Sequence, residues 1–174
     1  EAADYEEFVA RPRPEFDQAL AQRVDAVLPE DEVLLMYTSG STGRPKGVLH
    51  THASVMSNVA VEVEHFYWTP DSRVLLHFPI NHVAADVEIG FGAIYAGATA
   101  VLMDHFDPMD SLAKIEAEAI NVLGQVPVMY LMEMQSDEFA EVDWSALRTF
   151  VWGGSAAPPV MLKALERIAG QTGA

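Results

Sequence analysis

The chain has 174 residues, enough for one domain with a substantial core, and its 50% hydrophobic content excludes a disordered polymer. It has no cysteine, which excludes disulfide staples and thiolate metal sites and fits a reducing compartment. A net charge of −16, with Lys46, Lys114 and Lys163 the only lysines, excludes a surface that attracts nucleic acid or anionic membranes. This acidic surface fits ordinary solubility or, more sharply, a high-salt host in which ions screen dense carboxylates.

The N-terminus, with Glu1, Asp4, Glu6 and Glu7, is the opposite of a basic, then apolar, leader, so a cytoplasmic location is expected. Residues 1–31 are polar and broken by Arg11-Pro12-Arg13-Pro14 and Leu28-Pro29. They read as a connecting segment with short helical patches, entering a domain over residues 32–174.

From residue 33 onward, short apolar runs alternate with stretches of helical period. Strands are expected at 33–37, 74–78, 99–103, 121–124 and 148–152. Helices are expected at about 52–66, 83–96, 108–118, 126–135 and 158–169. Thr51 is placed to cap the first of these helices and Pro158-Pro159 to start the last. Val55, Met56, Val59 and Val63 give the first helix an apolar face. Residues 89–103 form the longest uncharged stretch, too short to span a bilayer, and read as a buried helix followed by a buried strand. The alternation predicts an α/β fold, a parallel sheet of about five strands with helices on both faces in three layers. Binding in such sheets falls in loops beyond the carboxyl ends of the strands, where three unusual segments lie.

The first segment is Tyr37-Thr38-Ser39-Gly40-Ser41-Thr42-Gly43-Arg44-Pro45-Lys46-Gly47-Val48. Glycines let backbone N–H groups converge, hydroxyls add neutral donors, and a terminal lysine supplies charge for a polyphosphate. It is not a Walker loop, which needs glycine in place of Pro45 and Ser or Thr in place of Gly47. The string resembles the signature loop of the adenylate-forming (AMP-binding) superfamily, which includes acyl-CoA synthetases, luciferases and peptide-synthetase adenylation domains. All its fixed positions match, and Thr51-His52 resembles the family's continuation into the next helix. The resemblance implies that Thr38, Ser39, Gly40, Ser41, Thr42, Gly43 and Lys46 wrap the β- and γ-phosphates of ATP, with Thr38 helping to hold magnesium.

The second segment is Phe78-Pro79-Ile80-Asn81-His82-Val83-Ala84-Ala85. A lone histidine at a helix start is more often structural. The segment resembles the Pro-x-x-His of acyl-CoA synthetases, which implies that His82 lies beside the carboxylate to be activated. Ala84 and Ala85 would leave room for an acyl chain. The third segment, Trp152-Gly153-Gly154-Ser155-Ala156-Ala157-Pro158, resembles the family's stretch against the adenine and the acyl pocket. Gly154, Ser155, Ala156, Ala157 and Pro158 take that role by position. Weaker matches at Gly97-Ala98-Thr99 and Val126-Pro127-Val128-Met129-Tyr130 keep the same register.

The remaining histidines carry less. His50 and His52 have no neighbouring carboxylate to complete a metal site, and His65, His77 and His105 read as structural. Asp104, Asp107 and Asp110 lack the distal glutamate of a calcium loop.

The resemblance implies an ATP-dependent carboxylate–CoA ligase of the fatty-acid branch. Its cofactors and co-substrates would be ATP, magnesium and coenzyme A, and its partner a fatty or aromatic carboxylic acid, with no nucleic acid and no membrane insertion. Two alternatives stay open: an adenylating enzyme that loads a carrier protein, and a non-catalytic ATP-binding module. The family's aromatic–Gly–x–Thr–Glu string, ribose-binding acidic pair and mobile C-terminal lysine domain are not found. The chain is therefore expected to be a piece of a longer ligase, inactive alone and prone to self-association through faces that meet the rest.

Overall fold

The computed structural model describes residues 6, 9, 10, 13–38 and 43–174. A helical turn Pro14–Phe16 leads into helix α1 (Asp17–Ala26), which buries none of its residues. Strands β1 (Glu32–Thr38) and β2 (Lys46–Thr51) follow, then helix α2 (His52–His65) and strand β3 (Arg73–Leu76). A π-helix Ala84–Phe91 runs into α3 (Gly92–Ala96), then come β4 (Thr99–Leu102), α4 (Pro108–Ala117), β5 (Val122–Gln125) and α5 (Pro127–Glu133). Strand β6 (Thr149–Trp152) and helix α6 (Pro159–Thr172) close the chain.

Four of the expected strands form a parallel sheet in the order β4-β3-β5-β6. Alternation along the strands separates two cores. Leu75 and Leu123 point into a cluster with Leu112, Ile115, Tyr130 and Met161 beneath α4, α5 and α6. Val74 and Val122, one residue earlier in each strand, point to the other face, against Trp68, Ile89 and Ala93. A period of two that feeds two apolar layers is what a sheet covered by helices on both faces requires. Each large side chain fully buried there contributes roughly 1.5–3 kcal/mol.

The expected strand at 33–37 forms but does not join this sheet. It pairs antiparallel with β2, a strand that the sequence reading left inside the glycine-rich loop and its continuation. Residues 46–51 lie close enough in sequence to complete a hairpin, so β1 satisfies its ladder locally instead of crossing to β3. Leu34 anchors the hairpin to α2 by packing on Val55, Val59 and Val87. The His52 and Ala53 amides donate to the carbonyls of Asp31 and Pro29, which ties the entry segment to the start of α2.

Thr51 caps α2 as expected, and Ser54 completes the capping box. Its buried face carries Val55 and Val59, whereas Met56 is exposed. Pro158 and Pro159 stand at the N-cap and first position of α6. In the uncharged stretch 89–103, β4 is an edge strand with Leu102 exposed, so burial there is one-sided. Among the described residues, no helix is long and apolar enough to cross a membrane.

Candidate functional site

The chain leaves β3 toward β4 on one side of the sheet, then crosses back to β5 on the other. The strand order therefore reverses between β3 and β5, the position at which open α/β sheets bind ligands beyond the carboxyl ends of their strands. A cavity of about 330 Å³ lies there. Phe78 beyond β3, Gln125 and Val126 at the end of β5, Trp152 at the end of β6, and Gly153 and Gly154 beyond it form its sheet-side rim. The opposite wall comes from α2 and the π-helix, through Glu62, Phe66, Ala84 and Ile89.

Two of the three sequence segments meet in this cavity. His82 lines it at the start of the π-helix, where its Nδ1 accepts a hydrogen bond of 3.1 Å from the Ala84 amide. With Nδ1 accepting, a neutral ring carries its proton on Nε2, which makes His82 a donor. Gly154 lines the cavity at φ +79°, and a Cβ there would stand 3.3 Å from Cγ1 of Val126. A side chain at this turn would be strained and would crowd β5.

Of the other residues expected there, Ala84 lines the cavity, while Ala85 is buried beneath the π-helix. Ser155 and Ala156 lie exposed on the loop beyond the cavity wall, Ala157 packs on the core below α6, and Pro158 caps that helix. The 153–158 stretch thus serves the cavity only at its beginning.

The glycine-rich segment follows β1 as expected, but β1 pairs with β2 and not with the parallel sheet. Ser39, Gly40, Ser41 and Thr42 lie outside the described residues. Thr38 and Lys46, at its two ends, are cross-strand partners and are exposed. Side chains at such paired positions project from the same face, with Cβ atoms about 5 Å apart. Gly43 has φ +78°, in the left-handed region that favours glycine. Among the described residues, no group of three carboxylate, histidine or cysteine side chains could hold a metal.

Sequence reasoning missed Glu62, Gln125 and Trp68, which all border the cavity. A signal for Glu62 existed: at spacings of four, three and four it continues the stripe Val55, Val59, Phe66 on α2. Gln125 donates through Nε2 to Oε1 of Glu133 at 2.7 Å, and Ser111 Oγ donates to the same oxygen at 2.6 Å. Burial pushes Glu133 up to about 7, partly opposed by these two donors. Burial also lowers His77 to about 4, opposed by a contact with the Gly124 backbone. His77 packs between Phe78 and Phe106, consistent with a structural role.

The chain belongs to the AMP-binding enzyme family, whose model matches residues 1–173. Over 134 residues it is 37% identical to the long-chain-fatty-acid–CoA ligase FadD13 of Mycobacterium tuberculosis, covering 77% of this chain and 26% of that protein. Over 151 residues it is 36% identical to a feruloyl-CoA synthase of Amycolatopsis sp, covering 84% of this chain and 30% of that protein. Its fold matches the N-terminal domain of FACL13 from Mycobacterium tuberculosis with a TM-score of 0.75 at 30% identity, over 93% of this chain and 44% of that one. It also matches ATP-bound MatB from Rhodopseudomonas palustris with a TM-score of 0.73 at 26% identity, over 84% of this chain and 28% of that one. The chain thus spans less than a third of the length of these two sequence relatives.

Proposed function

We propose that this chain is the nucleotide- and acyl-binding part of an ATP-dependent carboxylate–CoA ligase. The observation that carries this reading is the convergence of His82 and Gly154 on one largely apolar cavity at the switch point of the sheet. Such a cavity takes the hydrocarbon part of an acid, with a hydrogen-bond donor at its edge for the carboxylate.

In this reading Nε2 of His82 donates to one carboxylate oxygen and aims the other at the α-phosphorus of ATP. The new O–P bond forms as the bond to pyrophosphate breaks, giving an acyl-adenylate. Lys46, Thr38 and the glycine-rich segment between them neutralise charge that builds on the departing pyrophosphate. Gly153 and Gly154 let the flat adenine of the adenylate approach the backbone. A thiol then attacks the acyl carbon, loses its proton and expels AMP, giving the thioester. The main contributions of the chain are positioning and electrostatic stabilisation.

The test is carboxylate-dependent ATP–pyrophosphate exchange by the full gene product with a panel of fatty and aromatic acids, followed by product analysis with coenzyme A. Exchange and a CoA thioester are expected, whereas this chain alone exchanges poorly or not at all. Mg-ATP binding without exchange for any acid would replace the reading with a non-catalytic ATP-binding module. Exchange without a CoA thioester would point to a carrier-protein acceptor.

A further inference from the structure

The cavity is not uniformly apolar. Glu62 of α2 and Glu88 of the π-helix border it among Phe66, Trp68 and Ile89. The two carboxylates oppose each other: burial and then the charge of Glu88 raise the pKa of Glu62, while a hydrogen bond with Asn58 lowers it. Among the described residues, Glu62 Oε2, Gln125 Oε1 and Trp68 Nε1 are buried without a hydrogen-bond partner, and all three side chains border this cavity. Gln125 is 2% exposed and its Nε2 is committed to Glu133, so Oε1 is the atom it has left.

Buried acceptors without partners are costly, and a ligand that supplies donors recovers that cost. Here three residues offer acceptor oxygens against the donors of Trp68 and His82, and no lysine or arginine is among the described lining residues. The lining therefore complements a cationic or donor-rich group.

We propose that the cavity selects carboxylic acids whose end remote from the carboxylate carries an ammonium or hydroxyl group, received by Glu62, Glu88 and Gln125. The assignment rests on the reading of this cavity as the acyl site. It separates this protein from a ligase for plain hydrocarbon acids, for which a carboxylate at position 62 would be a liability. The π-helix takes part, because Ala84, Glu88 and Ile89 all border the cavity within its single widened stretch.

The test titrates the full gene product with hexanoate, 6-hydroxyhexanoate and 6-aminohexanoate. Binding is followed by the fluorescence of Trp68 and Trp152, which border the cavity, and exchange is assayed with each acid. 6-Aminohexanoate is expected to bind at least about tenfold more tightly than hexanoate, with 6-hydroxyhexanoate between them. The Glu62→Gln/Glu88→Gln variant is expected to lose this preference. Glu88→Gln alone, at an exposed position, is expected to reduce it and serves if the double variant does not fold. Equal, weaker or no binding of 6-aminohexanoate relative to hexanoate overturns the assignment, as does a preference that survives both variants. A preference in binding with no exchange for any acid would remove the adenylation reading and leave the selectivity of the cavity standing.

Discussion

Thr38 and Lys46 are paired directly across the last position of the β1–β2 hairpin. Seven residues separate them in the chain, yet the ladder brings their side chains to one face of the hairpin. The pairing supports the proposed phosphate-binding reading by bringing the backbone positions of a cation and a hydroxyl together.

Lys46→Ala in the full gene product should weaken Mg-ATP binding and slow pyrophosphate exchange by about tenfold to a hundredfold, because one charge-assisted contact to the leaving group is lost. Thr38→Val should have a smaller effect in the same direction. Calorimetric titration and exchange kinetics measure both, and an unchanged Lys46→Ala variant would move the phosphate site elsewhere.

Gly92 is held to glycine by an aromatic ring. A Cβ there would lie 2.8 Å from Cζ3 of Trp68, a wall of the cavity. In an open helix Gly→Ala would stabilise by about 1 kcal/mol. Here Gly92→Ala should instead destabilise by about 1–3 kcal/mol and shift the tryptophan emission as the ring is displaced. A rise in melting temperature would show that the ring moves aside without cost.

The Tyr130 hydroxyl lies 2.9 Å from the Leu123 carbonyl of β5 and 3.0 Å from the Val151 carbonyl of β6, and its single proton serves these two acceptors. It joins α5 to the two strands whose ends form the cavity rim. Tyr130→Phe should cost about 1–1.5 kcal/mol in urea denaturation and speed amide exchange in β5 and β6. Unaltered stability would mean that the carbonyls are satisfied by their ladders alone.

Glu133 is fully buried and has a folded-state pKa of about 7, above its ordinary 4.5. The folded form therefore holds the proton more tightly, and this contribution is present below about pH 4.5 and lost as pH rises through 7. Glu133→Gln should be close to neutral at pH 4.5 and should gain on the wild type as pH rises to 8, by up to about 3 kcal/mol. Melting curves across that range decide it. His77, lowered to about 4, has the opposite slope: its contribution is lost as pH falls from 6.5 toward 4. A stability difference independent of pH would mean that Glu133 is not neutral in the fold.

The net charge of −16 predicts a melting temperature that rises from low to molar KCl as screening relieves carboxylate repulsion. A flat or falling curve would leave the acidity as ordinary solubility.

Much of this protein was determined by its sequence alone. Local physics set the strand and helix positions from residue 52 onward, because period-two and helical apolar patterns, the Thr51 cap and the Pro158-Pro159 start act within a few residues. The strings around Thr38, Lys46 and His82 stood out through their resemblance to those of the family, which is also local in sequence. What only the tertiary structure decided is the set of neighbours. It withdrew β1 from the sheet into a hairpin, and it placed Glu62, Trp68, Glu88 and Gln125 around one cavity with His82 and Gly154. Those four residues come from separate elements, and periodicity records which side of an element is buried but not which other element covers it. That choice depends on the crossovers between strands, where the strand order reverses between β3 and β5 and long-range packing selects which side chains meet.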